Sequence, residues 1–231
     1  MVIRNPNCRG TARAPPVVLA LTSDRTIIYG VDIFGWKFVN SRLFADEYAS
    51  HGFLVLIPDL FDVNESASLL RFGAKLLSLS VFVPFLLRNG KASQEAKIGR
   101  LLAHLHETKP NSKIGFVGFC WGGRFALTMN SQFDATVACH PSRVTFPQEL
   151  QEINKPISFA VAETDHHYGA ETAAETEKIL KAKGVEVVVV VYKGVQHGWA
   201  IRANIADTDK KVAREKAREQ VMTWFERHLV V

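Results

Sequence analysis

The hydrophobic residues of this chain fall into short continuous runs, and amphipathic stretches of helical period separate them. The runs typical of buried β-strands lie at 17–21, 26–31, 53–57, 113–118, 135–138, 156–162 and 185–192. Helices are predicted at 40–50, at 95–109, at 170–183 and after Asp207. This alternation predicts an α/β fold with one mostly parallel sheet of about seven strands and helices on both faces.

Two of these segments allow a prediction of burial. The run at 185–192 consists mostly of valine, a composition typical of a strand that is buried on both faces. The final helix should turn its alternating charges to water and its apolar residues inward, namely Val212, Ala213, Val221, Trp224 and Phe225. No repeat, low-complexity segment or linker divides the chain, so residues 1–231 are predicted to form a single domain.

The segment 62–92 is unusually apolar. Its longest uncharged run, 76–87, has the length of a core helix and is too short to span a bilayer. Three interpretations remain open: a helix buried at the edge of the sheet, a lid or wall over a pocket, and a segment that docks on a membrane surface. The first two predict an apolar pocket, which would favour a bulky or aromatic acyl group.

Composition and charge limit the classes of partner and of cellular location that the chain could have. A hydrophobic fraction of 47% and a charged fraction of 22% are ordinary for a globular protein. The net charge is +5 without a Lys/Arg block, so no nucleic-acid partner is predicted. The three cysteines, Cys8, Cys120 and Cys139, give no disulfide framework, and an unpaired thiol fits a reducing cytosol. Since the N-terminus has no apolar signal-peptide core, a cytoplasmic location is expected.

Candidate chemistry is concentrated where the strand at 113–118 runs into Gly118-Phe119-Cys120-Trp121-Gly122. This pattern is that of the nucleophile elbow of α/β-hydrolases, with cysteine in place of serine. Gly118 and Gly122 should avoid side-chain clashes in a strained turn. A helix beginning near Gly123 should favour a thiolate through its N-terminal N–H groups. The alternative interpretation is a tight turn around a buried cysteine.

Two further residues follow strands in the order that α/β-hydrolases use, with the acid and then the histidine downstream of the nucleophile. Asp165 follows the run at 156–162, and His197 follows the run at 185–192. Together with Cys120 they lie at the carboxyl ends of predicted strands. Open α/β sheets place their sites at that edge.

With these residues the chain resembles the dienelactone hydrolase family, in particular its eukaryotic, carboxymethylenebutenolidase-like branch. The matching segments include Asp32-Ile33-Phe34-Gly35-Trp36, Pro58-Asp59-Leu60-Phe61, Gly118-Phe119-Cys120-Trp121-Gly122-Gly123, His140-Pro141-Ser142, Ala162-Glu163-Thr164-Asp165 and His197-Gly198-Trp199. The resemblance implies an α/β-hydrolase fold and hydrolysis of a small-molecule ester or lactone. It implies Cys120, Asp165 and His197 as the catalytic triad, and no cofactor or metal.

The resemblance also implies roles for residues around the triad. The backbone N–H groups of Ile33 and Trp121 are expected to bind the oxyanion. Asp32 is expected to orient the resting thiol, since bacterial relatives carry a glutamate there. Substrate contacts are expected from Phe34, Trp36, His140, Trp199 and Arg202. Relatives use an arginine at the last of these positions to hold a substrate carboxylate.

Other function classes remain open. Cys120 could serve as a thiol redox sensor with Cys139 as its resolving cysteine, or the fold could bind a ligand without catalysis. The complete set of three triad residues argues against the second class. A dienelactone, a polyketide lactone or thioester, and an aryl ester all remain candidate substrates. The oligomeric state is also open, and a longer N-terminal hairpin found in relatives is expected to be incomplete here.

Overall fold

The computed structural model describes residues 23–61 and 79–231. The predicted strand at 17–21 and residues 62–78 of the apolar segment lie outside the described residues. Within the described ranges, six strands form one sheet in the order β2-β1-β3-β4-β5-β6, and every neighbouring pair is parallel. They are β1 Arg25–Gly30, β2 Leu54–Leu56, β3 Lys113–Phe119, β4 Ala135–Cys139, β5 Ile157–Thr164 and β6 Val187–Gln196.

Helices connect the strands and cover the sheet. They are α1 Val39–Ser50, α2 Leu79–Arg88, α3 Lys91–Thr108, α4 Phe125–Thr128, α5 Ala170–Ala182, α6 Trp199–Arg202 and α7 Thr208–His228. The predicted α/β class and parallel sheet are confirmed, with six strands in the described residues instead of about seven. None of the helices described is both long and apolar enough to cross a membrane.

The centre of the sheet explains why the sequence reads as continuous apolar runs. Strand β3 pairs with β1 on one side and with β4 on the other, so that Gly118 lies between Gly30 and Ala138. All five residues of β4 are buried, as are six of the seven in β3. A strand that is covered on both faces has no polar face, and its sequence therefore does not alternate.

The prediction that the valine-rich run is buried on both faces is wrong. In the described part of the chain β6 pairs with β5 alone and forms one margin of the sheet. The side chains of Val188 and Val191 are 39% and 37% exposed there. An edge strand needs the same β-branched residues for its backbone conformation as a central strand, so composition did not distinguish the two.

Helix α7 begins at Thr208 and is capped by Asp207, whose carboxylate accepts a hydrogen bond from the backbone N–H of Lys210 at 3.3 Å. Four of the five residues predicted for its inner face are buried: Ala213, Val221, Trp224 and Phe225. The prediction for Val212 is wrong, because this side chain is 41% exposed. Val212 precedes the buried stripe by one residue, which rotates its side chain about 100° around the helix axis.

Candidate active site

The nucleophile elbow forms where β3 ends. Cys120 has a left-handed backbone, with φ of 52°, an unfavourable conformation for a residue with a side chain. A Cβ atom on Gly118 would overlap the carbonyl of Gly122, and one on Gly122 would overlap the carbonyl of Gly30. The backbone therefore packs so closely around this turn that only glycine fits at Gly118 and Gly122, as the sequence predicted.

The helix predicted to begin near Gly123 is short. It consists of a 3-10 turn, Gly122–Arg124, and the single turn of α4. Two short turns align few peptide dipoles, so the helix contributes less to holding a thiolate than expected. The charge that balances a thiolate at Cys120 must come mainly from a side chain.

That side chain is His197. Its Nε2 atom lies 3.1 Å from the Sγ atom of Cys120, and its Nδ1 atom lies 2.7 Å from Oδ2 of Asp165. The side chain of Asp165 has no exposed area, and its Oδ1 atom accepts a hydrogen bond from the backbone N–H of His167 at 2.8 Å. The structure thus brings Cys120, His197 and Asp165 into one continuous hydrogen-bonded chain.

The surroundings of His197 favour its protonated form. Burial by itself would lower the pKa of His197, but the hydrogen bonds with Asp165 and Cys120 outweigh it and raise the pKa to about 9. At neutral pH the imidazole is therefore charged. A cation 3.1 Å from Sγ is the arrangement that favours a thiolate at Cys120.

The loop after β4 packs on the other side of Cys120. The hydroxyl oxygen of Ser142 lies 3.7 Å from Sγ of Cys120, and the backbone N–H of Ser142 donates to the carbonyl of Cys120 at 3.0 Å. The backbone N–H of Cys120 in turn donates to the carbonyl of Cys139 at 3.0 Å. Sequence reasoning missed Ser142, although its place in His-Pro-Ser after a strand was the available signal.

Asp32 has a different partner from the one expected. Its Oδ2 atom pairs with Nη1 of Arg202 at 2.5 Å, and its Oδ1 atom accepts from the backbone N–H of Phe34 at 3.0 Å. The thiol of Cys120 faces His197 and Ser142 instead. Burial raises the pKa of Asp32, although Arg202 opposes that rise. The charge of Arg202 is therefore already engaged by a fully buried carboxylate.

Arg202 also holds two loops of the site together. Its guanidinium packs so closely on Gly198, next to His197, that a Cβ atom there would overlap it. Because Asp32 precedes Ile33, the ion pair links the loop that carries the histidine to the loop after β1. A second link lies nearby, where the side chain of Asn40 in α1 donates to the carbonyl of Ile201 in α6 at 2.6 Å.

The elbow and the loop after β1 carry the two backbone N–H groups that were predicted to bind an oxyanion. The elbow is tied to the loop after β1 by a hydrogen bond from the N–H of Gly122 to the carbonyl of Val31 at 3.0 Å. Within the described ranges, the N–H groups of Ile33 and Trp121 have no hydrogen-bond acceptor. Both are therefore able to donate to an added oxygen atom.

His140 and Trp199 surround the catalytic histidine candidate. The ring of His140 is fully buried, and its centroid lies 5.1 Å from that of His197 and 5.3 Å from that of Trp199. Trp199 is 3% exposed and also packs on Tyr192 at 5.2 Å. Burial lowers the pKa of His140, and the charges of His197 and Arg202 lower it further. His140 is thus a neutral support for the ring of His197.

The other predicted substrate contacts are less enclosed. The ring of Phe34 lies 5.1 Å from the guanidinium carbon of Arg202, and Trp36 lies 5.7 Å from the ammonium of Lys37. Both rings are partly exposed. Their predicted role in substrate binding stays a prediction.

An apolar wall lies beside the elbow. The indole of Trp121 packs edge-on against Phe61 at 6.0 Å and against Phe85 of α2 at 5.4 Å. In α2, Phe85 is buried, whereas Val83 and Leu87 are 42% and 79% exposed. The described end of the apolar segment thus contributes one side chain to a wall next to Trp121, while its other face is open.

Comparison with known proteins identifies the family. The sequence profile of the dienelactone hydrolase family matches residues 17–229. The chain belongs to the dienelactone hydrolase family. The hydrolase pyvD of Aspergillus violaceofuscus is 29% identical over 225 residues, which cover 93% of this chain and 87% of that protein. The carboxymethylenebutenolidase homolog of Homo sapiens is 26% identical over 89% of this chain and 83% of its own.

Solved structures place the chain in the same fold. The dienelactone hydrolase from Anabaena variabilis has a TM-score of 0.60 and 18% identity, with 89% of this chain and 87% of that chain covered. The family and the hydrolases among its relatives identify this member as an ester or lactone hydrolase. Among residues 23–61 and 79–231, no group of three His, Cys, Asp or Glu side chains could hold a metal ion.

Proposed function

We propose that this family member cleaves a carboxylic ester or lactone with Cys120 as nucleophile, His197 as acid and base, and Asp165 as the residue that orients the histidine. The observation that carries the proposal is the unbroken chain of 3.1 Å and 2.7 Å contacts from Sγ through the imidazole to the buried carboxylate. Nucleophile, base and orienting group stand in the order that acyl transfer needs.

In the first half of the reaction the sulfur of Cys120 adds to the carbonyl carbon of the substrate. The π electrons move onto the carbonyl oxygen, which the N–H groups of Ile33 and Trp121 stabilise as an oxyanion. When the carbonyl re-forms, the bond to the leaving oxygen breaks, and His197 gives that oxygen a proton. For a lactone the leaving hydroxyl stays attached to the acyl group.

In the second half a water molecule adds to the thioester carbon, and the neutral His197 takes its proton. The C–S bond then breaks, the carboxylic acid leaves, and the thiolate–imidazolium pair is restored. Asp165 keeps the Nδ1 proton in place throughout, so that Nε2 always faces the sulfur. The pKa of about 9 for His197 suits a group that rests in its charged form beside a thiolate.

The test compares the two free cysteines of the described chain, Cys120 and Cys139. Hydrolysis of p-nitrophenyl esters and small lactones is measured for Cys120→Ala and for the matched control Cys139→Ala. We expect Cys120→Ala to lose about three or more powers of ten in rate, and the control to stay within a few-fold. Turnover near the wild-type rate in Cys120→Ala would overturn the proposal.

Mass spectrometry of rapidly quenched enzyme should find an acyl group on Cys120. Cys120→Ser should retain at most weak activity, because a hydroxyl needs a stronger base than a thiol does.

The burial of Cys139 argues against a disulfide-forming sensor, since burial raises the pKa of this thiol far above its usual range. A sulfenic acid on Cys120 without any acylated enzyme would favour the sensor.

A further inference from the structure

Arg143 occupies an unusual position next to the nucleophile. It follows Ser142, whose hydroxyl is 3.7 Å from Sγ of Cys120, and its backbone is left-handed with φ of 58°. Its guanidinium carbon lies 5.3 Å from the ring centroid of Trp121. A left-handed arginine costs free energy that a glycine would not, and such strain is concentrated at functional sites.

Three cationic side chains line a cleft beside Trp121 and Ser142, namely Lys91, Arg124 and Arg143. The first two are paired with carboxylates, Arg124 with Glu149 and Lys91 with Glu149, Glu95 and Glu152. The carboxylate of Glu149 accepts two hydrogen bonds at 3.0 Å from Nε of Arg124 and a further one from Nη2, and it lies 3.6 Å from Nζ of Lys91. The pKa of Glu149 is lowered, because these bonds outweigh the opposing effect of burial.

Arg143 has no such partner. In the two described ranges, no carboxylate lies within ion-pair distance of its guanidinium, and the residue is exposed. The other arginine at the site, Arg202, is held by the buried carboxylate of Asp32. Arg143 is therefore the cation with an unused charge beside the nucleophile, whereas the sequence assigned this role to Arg202.

The charge of Arg143 also extends across the site. Burial and the charge of His197 are the main causes that lower the pKa of His167, and Arg143 contributes to the same lowering. The ring of His167 lies 5.0 Å from that of His197. Arg143 thus packs on the indole of Trp121 and is also near enough to His167 for its charge to act on that imidazole.

We infer that Arg143 forms an anion subsite that binds a carboxylate carried by the acyl part of the ester or lactone. The face of Trp121 supports the guanidinium plane, so that its N–H groups remain free to form paired hydrogen bonds with a carboxylate. One unpaired cation selects a singly charged substrate. This inference rests on the proposed function, because it places the anion relative to the acyl group bound at Cys120.

The first experiment uses two esters that differ in one charged group, p-nitrophenyl hydrogen glutarate and the neutral p-nitrophenyl valerate. For Arg143→Gln we expect KM for the glutarate ester to rise about ten-fold or more, with the valerate ester changed less than about three-fold. Added salt should raise the wild-type KM for the glutarate ester and have little effect on that of the variant. Arg143→Lys should restore part of the loss.

The matched control is Lys178→Gln on α5, which removes the same charge at an exposed position where the side chain is 78% accessible. Its KM for both esters should equal that of the wild type. Equal losses of Arg143→Gln on both esters would mean that Arg143 only braces Trp121. Unchanged kinetics on both esters, or the same loss in Lys178→Gln, would also overturn the subsite.

A second readout does not depend on hydrolysis. Cys120 can be alkylated by the anion iodoacetate or by the neutral iodoacetamide. The rate with iodoacetate divided by the rate with iodoacetamide reports the electrostatic potential at Sγ. The ratio should fall in Arg143→Gln and stay at the wild-type value in Lys178→Gln. An unchanged ratio counts against the subsite even if neither ester is cleaved. Undiminished hydrolysis in Cys120→Ala would instead refute only the proposed function.

Discussion

The ion pair between Asp32 and Arg202 offers the sharpest test of how the site is held together. The carboxylate of Asp32 has no exposed area, and two groups donate to it: Nη1 of Arg202 at 2.5 Å and the backbone N–H of Phe34 at 3.0 Å. Arg202→Met keeps an apolar stem near the ring of Phe34 and removes the charge. Asp32 then retains one hydrogen bond and, in place of its paired counter-ion, only the weaker effect of the charge of His197.

Breaking a fully buried ion pair costs about 3–5 kcal/mol, because the remaining charge is left without compensation. The side chain of Arg202 is 25% exposed, so water screens part of the interaction. We therefore expect Arg202→Met to lower the free energy of unfolding by about 2–4 kcal/mol at pH 7. Urea unfolding measures this loss, provided that the slope with denaturant is unchanged.

The charge on Asp32 is the stated cause, and a double-mutant cycle isolates it. Asp32→Asn keeps an oxygen for Phe34 but has no charge, so the double variant with Arg202→Met should be more stable than Arg202→Met alone. Burial raises the pKa of Asp32, and loss of Arg202 should raise it further. Protonation then relieves the buried charge, so the defect of Arg202→Met should shrink as the pH falls.

Two outcomes would refute this reasoning. A cost below about 1 kcal/mol would put the pair among weak surface interactions. Strict additivity in the cycle would show that the two side chains do not interact. The pair also bears on kinetics: because it joins the loops of Ile33 and His197, Arg202→Met should lower kcat for neutral and anionic esters alike. A KM effect confined to anionic esters would restore the substrate contact that the sequence suggested.

Three further predictions follow from the geometry of the site. Gly122→Ala should destabilise the fold by more than about 4 kcal/mol, because the new methyl group overlaps a carbonyl of β1. The control Gly99→Ala, on the open face of α3, should be neutral or stabilising by up to about 1 kcal/mol. Thermal unfolding of the two variants distinguishes a steric effect from a general intolerance of substitution. The raised pKa of His197, about 9 against an ordinary 6.5, should stabilise the fold by up to about 3 kcal/mol below pH 6.5, and this contribution should disappear as the pH rises through 9. The difference in unfolding free energy between the wild type and His197→Gln should therefore become smaller as the pH rises over that range. A difference that does not change with pH would contradict the assignment. Ser142→Ala should slow iodoacetamide alkylation of Cys120 about three- to ten-fold by removing a hydroxyl donor to the thiolate, with no effect if the hydroxyl points elsewhere.

Local patterns predicted the parts of the site that depend on neighbouring residues. The elbow follows from glycines within five positions of one another, and the places of Asp165 and His197 follow from the strands that precede them. The run at 185–192 was misjudged because burial depends on whether a strand has one neighbour or two. That number is a property of the whole sheet, and valine is favoured in either position.

The partner of Arg202 could not be predicted for a related reason. Asp32 lies 170 positions away in the chain, and nothing between them signals the pair. Ser142 and Arg143 belong to a loop whose backbone is left-handed at His140 and Arg143, which no local sequence pattern indicates. In a sequence, a hydrogen-bonding or charged loop residue is usually interpreted as a surface residue. A role in the site can be assigned to it only when its distance to Cys120 is known.

The separation of the site residues along the chain has a consequence for the protein during its synthesis. Cys120 precedes His197 by 77 positions, and Arg202 reaches back 170 positions to Asp32. Contacts between such distant residues form late in folding, because closing a long loop costs entropy before any contact repays it. If Cys120 is the nucleophile that we propose, a growing chain that carries Cys120 but not yet His197 lacks the base of that mechanism. We therefore expect the thiolate to form only after His197 has been synthesised and packed against Cys120, which should protect the nascent chain from acylation and oxidation at this cysteine.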